Sequence, residues 1–174
     1  LTRARPLFGP PEQRERLAAM LREILSRPRD PAKLRADVLA MRAEIAAHKP
    51  PAGPLDVKLQ RGGLVDAEFI VHFLQLREGI ALHPAIDEAI VALADAGRLP
   101  PAFIEHFALL TRLLVSARLL APDAREPAPA ARAALAAACQ QADYPTLLDA
   151  LLRARQGIAA CWGELFGETL EIEG

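Results

Sequence analysis

Asp56 to Arg77 reads DVKLQRGGLVDAEFIVHFLQLR, and its second half decides the fold. From Leu64 to Arg77 the apolar residues Leu64, Val65, Phe69, Ile70, Val71, Phe73, Leu74 and Leu76 fall on nearly every side of a helix. A helix that is hydrophobic all round is stable only when other elements enclose it, so this segment predicts the central helix of an all-α domain. The first half is a basic loop that ends in Gly62-Gly63. Two adjacent glycines let the backbone take φ > 0 and approach another surface closely, which serves either a tight turn or a binding loop. For the second use, the free N–H groups of the next turn, with Lys58 and Arg61 beside them, suit an anion. Asp66 lies in the first turn, where the macrodipole favours a carboxylate and free amides await a cap. Glu68 lies about 200° from it at ~100° per residue, so the two acids are not a same-face pair and each needs its own partner.

Working outward, the remaining chain also reads as helices, six or seven in all, in a bundle. After Pro10-Pro11 the positions Leu17, Met20, Leu21, Ile24 and Leu25 predict one buried face, and Pro28 ends the helix. Asp30 can cap a second helix with Pro31 at its first position. There Leu34, Val38, Met41 and Ile45 recur at a spacing that suits an antiparallel partner for the first, so residues 11–48 read as a helical pair. Residues 49–63, broken by Pro50, Pro51, Gly53 and Pro54, form a loop with an extended piece expected at Leu55 to Leu59. Core helices occupy 64–120. One runs from Pro84 to Ala96 and stops at Gly97; the other starts near Pro101 and carries Phe103, Phe107, Leu110, Leu113, Leu114 and Leu120. Arg112 lies among these apolar residues. Because an unpaired buried charge is costly, it is expected to form an ion pair with Asp66 or Glu68. The Pro- and Ala-rich stretch 121–131 reads as a linker, and 132–174 as C-terminal helices, the last with Leu148, Leu151, Leu152, Ile158, Trp162 and Phe166 facing inward.

Composition narrows the function classes. A chain of 174 residues that is 52% hydrophobic can bury a single core. No run approaches the ~18 apolar residues of a membrane span, and no leader opens the sequence, so a soluble protein is expected. Cys139 and Cys161 are too few and too far apart for a disulfide framework, which points to a reducing cytoplasm. The net charge of −1 hides an asymmetry, since Leu1 to Arg61 holds 13 Lys+Arg against 7 Asp+Glu. A basic front third can face a nucleotide, an acidic neighbouring domain or an acidic protein surface, or it can be solvated arginine on helix faces. Aromatics make up only 5% and do not alternate with basic residues, so nucleic acid is not an expected partner. His48, His72, His83 and His106 fall at no metal-ligand spacing, and HExxH, GxSxG and Walker-type strings are absent, so neither a metal nor a catalytic triad is expected.

The order D-x-K-x-x-x-G-G-x-x-D-x-E-F from Asp56 to Phe69 resembles the signature of the helical domain of the bifunctional glutamine synthetase adenylyltransferase/adenylyl-removing enzymes. The likeness extends to Leu1-Thr2-Arg3-Ala4-Arg5-Pro6 and to Val38, Met41 and Arg42 ahead of His48, and it fades after Pro84. The signature occurs twice in that family. Asp66-Ala67-Glu68-Phe69 is similar to the C-terminal, adenylylating version, because the adenylyl-removing half tends to carry Arg at the Asp66 position. His72 departs from the family, which usually has Gln there. The resemblance implies that residues 1–10 are the tail end of a preceding nucleotidyltransferase domain and 11–174 the C-terminal helical domain of a longer enzyme. It further implies AMP transfer from ATP to a tyrosine of glutamine synthetase, under control of a PII signalling protein and glutamine. ATP and Mg²⁺ would be held by the preceding domain, whose Gly-Ser and paired-Asp strand is not in this sequence. The catalytic carboxylates would therefore lie outside the chain. Lys58, Arg61, Gly62, Gly63, Asp66 and Glu68 would support the active-site cleft. Two alternatives remain: a helical scaffold that binds glutamine synthetase or the PII protein, and a module of the adenylyl-removing half.

Overall fold

Seven helices form among residues 1–172, the part of the chain that the computed structural model describes: α1 Pro11–Leu25, α2 Pro31–His48, α3 Leu64–Glu78, α4 Ile86–Asp95, α5 Ala102–Leu120, α6 Pro129–Ala138 and α7 Tyr144–Phe166. The final two positions of the 132–174 span lie outside the described residues. There is no strand among the described residues, so the all-α bundle expected from the sequence is the fold.

α3 is the central helix, as its all-round apolar sequence requires. It packs on α2, α4, α5 and α7, and Ala67, Ile70, Val71 and Leu74 are fully buried. α5, α6 and α7 form a second, mutually packed group joined to it. Where the groups meet, Phe73 of α3 lies against Phe166 with ring centroids 4.8 Å apart, and Phe166 in turn meets Trp162 at 4.3 Å. Large side chains buried to this degree each contribute roughly 1.5–3 kcal/mol relative to exposure.

Helix ends follow local chemistry. The Asp30 carboxylate accepts from the amide of Ala32 at 2.9 Å, and Pro31 occupies the first turn of α2. Asp143 caps α7 in the same way, accepting from the Thr146 amide at 2.8 Å; the Thr146 side chain first, and then this amide, hold its carboxyl below the ordinary range. Gly79 and Gly167 close α3 and α7 in the left-handed conformation. The Arg35 guanidinium donates to the Phe166 carbonyl and so ties α2 to the end of α7.

Four sequence expectations are corrected. First, α1 and α2 are not an antiparallel pair. The inner side of α2, Val38 and Arg42, is spent on α3, which leaves α1 packed on the N-terminal segment and on Leu82 and Pro84. Leu17, Met20 and, on α2, Met41 are therefore about half exposed. Second, Leu55 to Leu59 is not extended. The Asp56 carboxylate accepts from the amides of Ala52 and Leu59 at 3.0 and 3.1 Å, which winds the segment into turns. Third, α6 begins at Pro129, inside the stretch read as a linker, because Pro at the first helical position starts the Ala-rich run early. Fourth, Leu147 rather than Leu148 takes the core position on α7, and Leu148 is exposed. A helix that starts at Tyr144 places Leu147, Leu151, Ala154 and Ile158 on one inward stripe.

Candidate functional site

The loop before α3 is anchored by two apolar side chains, Leu55 and Val57, both buried. Between them Asp56 organises the turn already described. The chain then doubles back so that its own carbonyls meet the start of α3. Leu64 donates its amide to the Val57 carbonyl at 2.8 Å, Val65 to Lys58 at 3.2 Å and Gly63 to Gln60 at 3.0 Å. Gly62 donates to the Asp66 carboxylate at 2.7 Å. The helix N-terminus thus has these amides satisfied from within, and the expectation that the amides after Gly63 are free for an anion is not met.

Asp66 is fully buried, and its partner is Arg42 on α2. The Arg42 Nε donates to one carboxylate oxygen and Nη2 donates to the other at 3.3 Å, in a fork-to-fork pair. The same Nη2 also donates to the Leu59 carbonyl at 3.2 Å. One carboxylate therefore joins three elements: α2 through Arg42, the loop through Gly62, and α3 through its own backbone. The ion pair that the sequence assigned to Arg112 is corrected here. Arg112 lies on α5 between a cleft shared with α7 and the α6–α7 turn and another shared with α4, and its Nε is buried with no hydrogen-bond partner among the described residues. Glu68, half exposed, instead lies 3.7 Å from Arg3 in the N-terminal segment.

From the other side the loop is held by α7. Arg155, almost wholly buried, donates from Nε to the Arg61 carbonyl at 3.0 Å and from Nη2 to the Gln60 side-chain oxygen at 2.8 Å. Gln60 in turn donates its amide to the Gly53 carbonyl at 2.9 Å. Here both glycines find their reason. Gly62 has φ +70°, and a Cβ on it would lie 2.2 Å from the Arg155 carbonyl oxygen, so the loop backbone rests directly on α7. Gly63 has an ordinary φ of −88°, but a Cβ there would lie 2.5 Å from the Val57 carbonyl oxygen inside the turn.

Lys58 and Arg61, the two loop cations, are both exposed. Arg61 lines a cleft of about 300 Å³ together with Arg42, Gln60, Arg155 and Glu171, while Lys58 stands outside it. Its lining is mixed, with three arginines and one acid beside Ala46, Pro51 and Leu59. Of the arginines, Arg61 is carried on the loop, which buried hydrogen bonds from Arg42 of α2, through Asp66, and from Arg155 of α7 hold in place, a geometry that can meet an anionic group without first ordering the loop. Sequence reading missed Asp56, Arg42 and Arg155 as site builders. Asp56 and Arg42 belong to the family-like pattern and carried that signal; nothing in the sequence marks Arg155.

His72 works locally. Its Nδ1 lies 2.9 Å from the Gln75 side-chain oxygen, and the Gln75 amide donates to the Ala81 carbonyl at 2.7 Å. With that amide spent as a donor, the Gln75 oxygen must accept, so His72 presents Nδ1–H to it. The pair braces the turn after α3, where Ala81 has φ +52°.

No family model matches the chain, and no solved structure matches it. Curated proteins do. The bifunctional glutamine synthetase adenylyltransferase/adenylyl-removing enzyme of Rhodopseudomonas palustris (strain BisB5) is 35% identical over 182 residues, covering 96% of this chain and 18% of its own length. Its counterpart in Xanthobacter autotrophicus is 34% identical, covering 84% of the chain and 16% of that protein. The Rhizobium meliloti protein is 36% identical over the same shares. The chain spans less than a fifth of the length of these relatives. It is homologous, over most of its length, to a fragment of the bifunctional glutamine synthetase adenylyltransferase/adenylyl-removing enzymes, as the pattern from Asp56 to Phe69 implied.

Proposed function

We propose that this chain, a relative of one piece of the bifunctional glutamine synthetase adenylyltransferase/adenylyl-removing enzymes, is the helical module that follows a nucleotidyltransferase domain in the adenylylating half of such an enzyme. The intact protein would transfer AMP from ATP to a tyrosine hydroxyl of glutamine synthetase, with a PII signalling protein as regulator. ATP and Mg²⁺ would be held by the preceding domain, and this module would be a rigid support at the edge of the active-site cleft. The observation that carries the reading is the clamp on the loop before α3. Arg42–Asp66–Gly62 on one side and Arg155 on the other fix a loop whose outward side chains are Lys58 and Arg61. A turn of purely structural use needs no such cations at its rim, whereas phosphate or an acidic active-site edge is stabilised by charges that need not reorganise. The support comes from the side chains, because the amides of Gly62, Gly63, Leu64 and Val65 are occupied.

A second reading, a protein-binding scaffold for glutamine synthetase or the PII protein, is favoured by the apolar side chains left exposed at the front of the chain. Phe8 is 90% exposed and Leu7 70%, with Leu17 and Met20 nearby on α1. These residues lie on α1 and the segment before it, while the arginine-lined cleft lies at the loop before α3, so the two readings make separable demands.

The deciding experiment is adenylylation of glutamine synthetase by a longer protein that includes the nucleotidyltransferase domain. Lys58→Ala and Arg61→Ala are each expected to lower AMP transfer by about ten- to a thousandfold with folding intact, the scale of losing one preorganised electrostatic group. Normal rates in both variants would overturn the support reading in favour of the scaffold. The 174-residue chain alone is expected to transfer no AMP. Measurable transfer by it would refute the assignment of the catalytic metal site to another domain.

A further inference from the structure

A cleft of about 510 Å³ lies between α5 and α7 and is closed by the turn after α6. That volume is in the range of small-molecule sites. Its charged groups are Arg112 and Glu105 from α5 and Arg153 from α7, so cations outnumber acids. Arg112 is the unusual member. Its Nε is buried, it donates to no atom among the described residues, and the carboxylates proposed for it from the sequence lie elsewhere. A buried guanidinium N–H without an acceptor is costly, and the Arg112 side chain, which reaches the wall of the cleft, carries a charge that no carboxylate among the described residues pairs with.

The other polar groups suit the same occupant. Gln140 and Gln141 line the cleft; the Gln141 side-chain amide donates to the Cys139 carbonyl at 3.3 Å, while Gln140 is exposed and holds φ +60°, uncommon for a residue with a side chain. His106 is pressed onto α7 so closely that a Cβ on Gly157 would lie 2.3 Å from its ring. Burial lowers the His106 pKa, and the neutral ring has an N–H to donate. The C-terminal carbonyls of α6 do not oppose an anion with open lone ends, because Leu135, Ala136 and Ala137 already accept from the amides of Cys139, Gln140 and Gln141. Leu109 and Ala150 add apolar wall, which favours an organic carrier.

We propose that this α5–α7 cleft is a ligand site, separate from the loop before α3, for a small organic oxyanion anchored by the Arg112 guanidinium, with Arg153 and the Gln140 side chain as secondary contacts. Carboxylates and phosphates share the recognised chemistry, two oxygens set against a guanidinium fork.

The test is titration of the 174-residue chain with succinate and, separately, inorganic phosphate at constant ionic strength, followed by NMR of the Gln140, Gln141 and Gly157 amides and of Arg112 Nε–H. Saturable shifts confined to these groups, with a dissociation constant in the millimolar range, are expected for at least one probe. Saturation by succinate alone identifies a carboxylate and by phosphate alone a phosphoryl group. Arg112→Gln and Arg153→Gln should each weaken binding about tenfold or more, while Lys58→Ala should leave it unchanged. Arg153 is exposed, so its variant keeps the test valid if Arg112→Gln fails to fold. Shifts that stay linear to about 50 mM, or saturation that survives both arginine substitutions, would overturn the proposal.

Discussion

Replacing Arg42 by methionine is the sharpest perturbation of the clamp on the loop before α3. Arg42 is 3% exposed and Asp66 0%, so the substitution leaves a carboxylate out of reach of water with the Gly62 amide as its remaining partner of the three-element junction. Removing one member of a buried pair costs about 3–5 kcal/mol, a third or more of the stability of many domains. With a urea dependence of roughly 2 kcal/mol/M, the unfolding midpoint should fall by roughly 1.5–2.5 M. The double variant Arg42→Met/Asp66→Leu removes the stranded charge and leaves a buried Gly62 N–H without its acceptor, a loss of about 1–3 kcal/mol. It should therefore be more stable than either single variant, and the double-mutant cycle reads the coupling directly. Arg112→Leu is the control, expected within about 1 kcal/mol of wild type because no hydrogen bond is lost. A midpoint for Arg42→Met that hardly moves, a double variant no better than the single ones, or an Arg112→Leu loss as large as that of Arg42→Met would each refute this account.

Two further outcomes follow from the same geometry. Gly62→Ala should destabilise by roughly 3 kcal/mol or more, since it combines a left-handed φ with a backbone clash on α7, whereas Gly97→Ala, at φ +67° with open space around it, should cost about 1–2 kcal/mol in thermal denaturation. In acid, two groups act in the same direction. Burial lowers the His106 pKa below its ordinary 6.5, so the unfolded chain takes up the proton first and stability declines as pH falls below that value. Burial would raise the Glu78 carboxyl, but hydrogen bonds from Arg77 and Arg98 outweigh it and hold it below 4.5, so its contribution is present above that pH and is lost beneath it. His106→Gln should flatten the stability profile below pH 6.5, and Arg98→Ala the part below 4.5; unchanged slopes would contradict both assignments.

The sequence by itself determined the class of fold and the place of its central helix, because those depend on local periodicity. Residues 64–77 are apolar on nearly every side and so call for enclosure by other helices, while Asp30-Pro31 and Gly97 mark boundaries through short-range chemistry. It also carried the family pattern from Asp56 to Phe69, without saying what each of those residues does. Tertiary structure decided the pairings. Periodicity finds the apolar face of a helix but not the neighbour that face will meet, so α1 and α2, adjacent in sequence and matched in pattern, do not pair. For the same reason an arginine among leucines on α5 looked like the natural partner of Asp66 or Glu68, when the guanidinium that reaches Asp66 comes from α2 and the one near Glu68 from the N-terminal segment. The glycine pair showed that backbone freedom was needed, yet the need arises at Arg155, far along the chain on α7, whose carbonyl occupies the space a side chain on Gly62 would fill. Contacts of that kind depend on how helices cross in space, which no local pattern encodes.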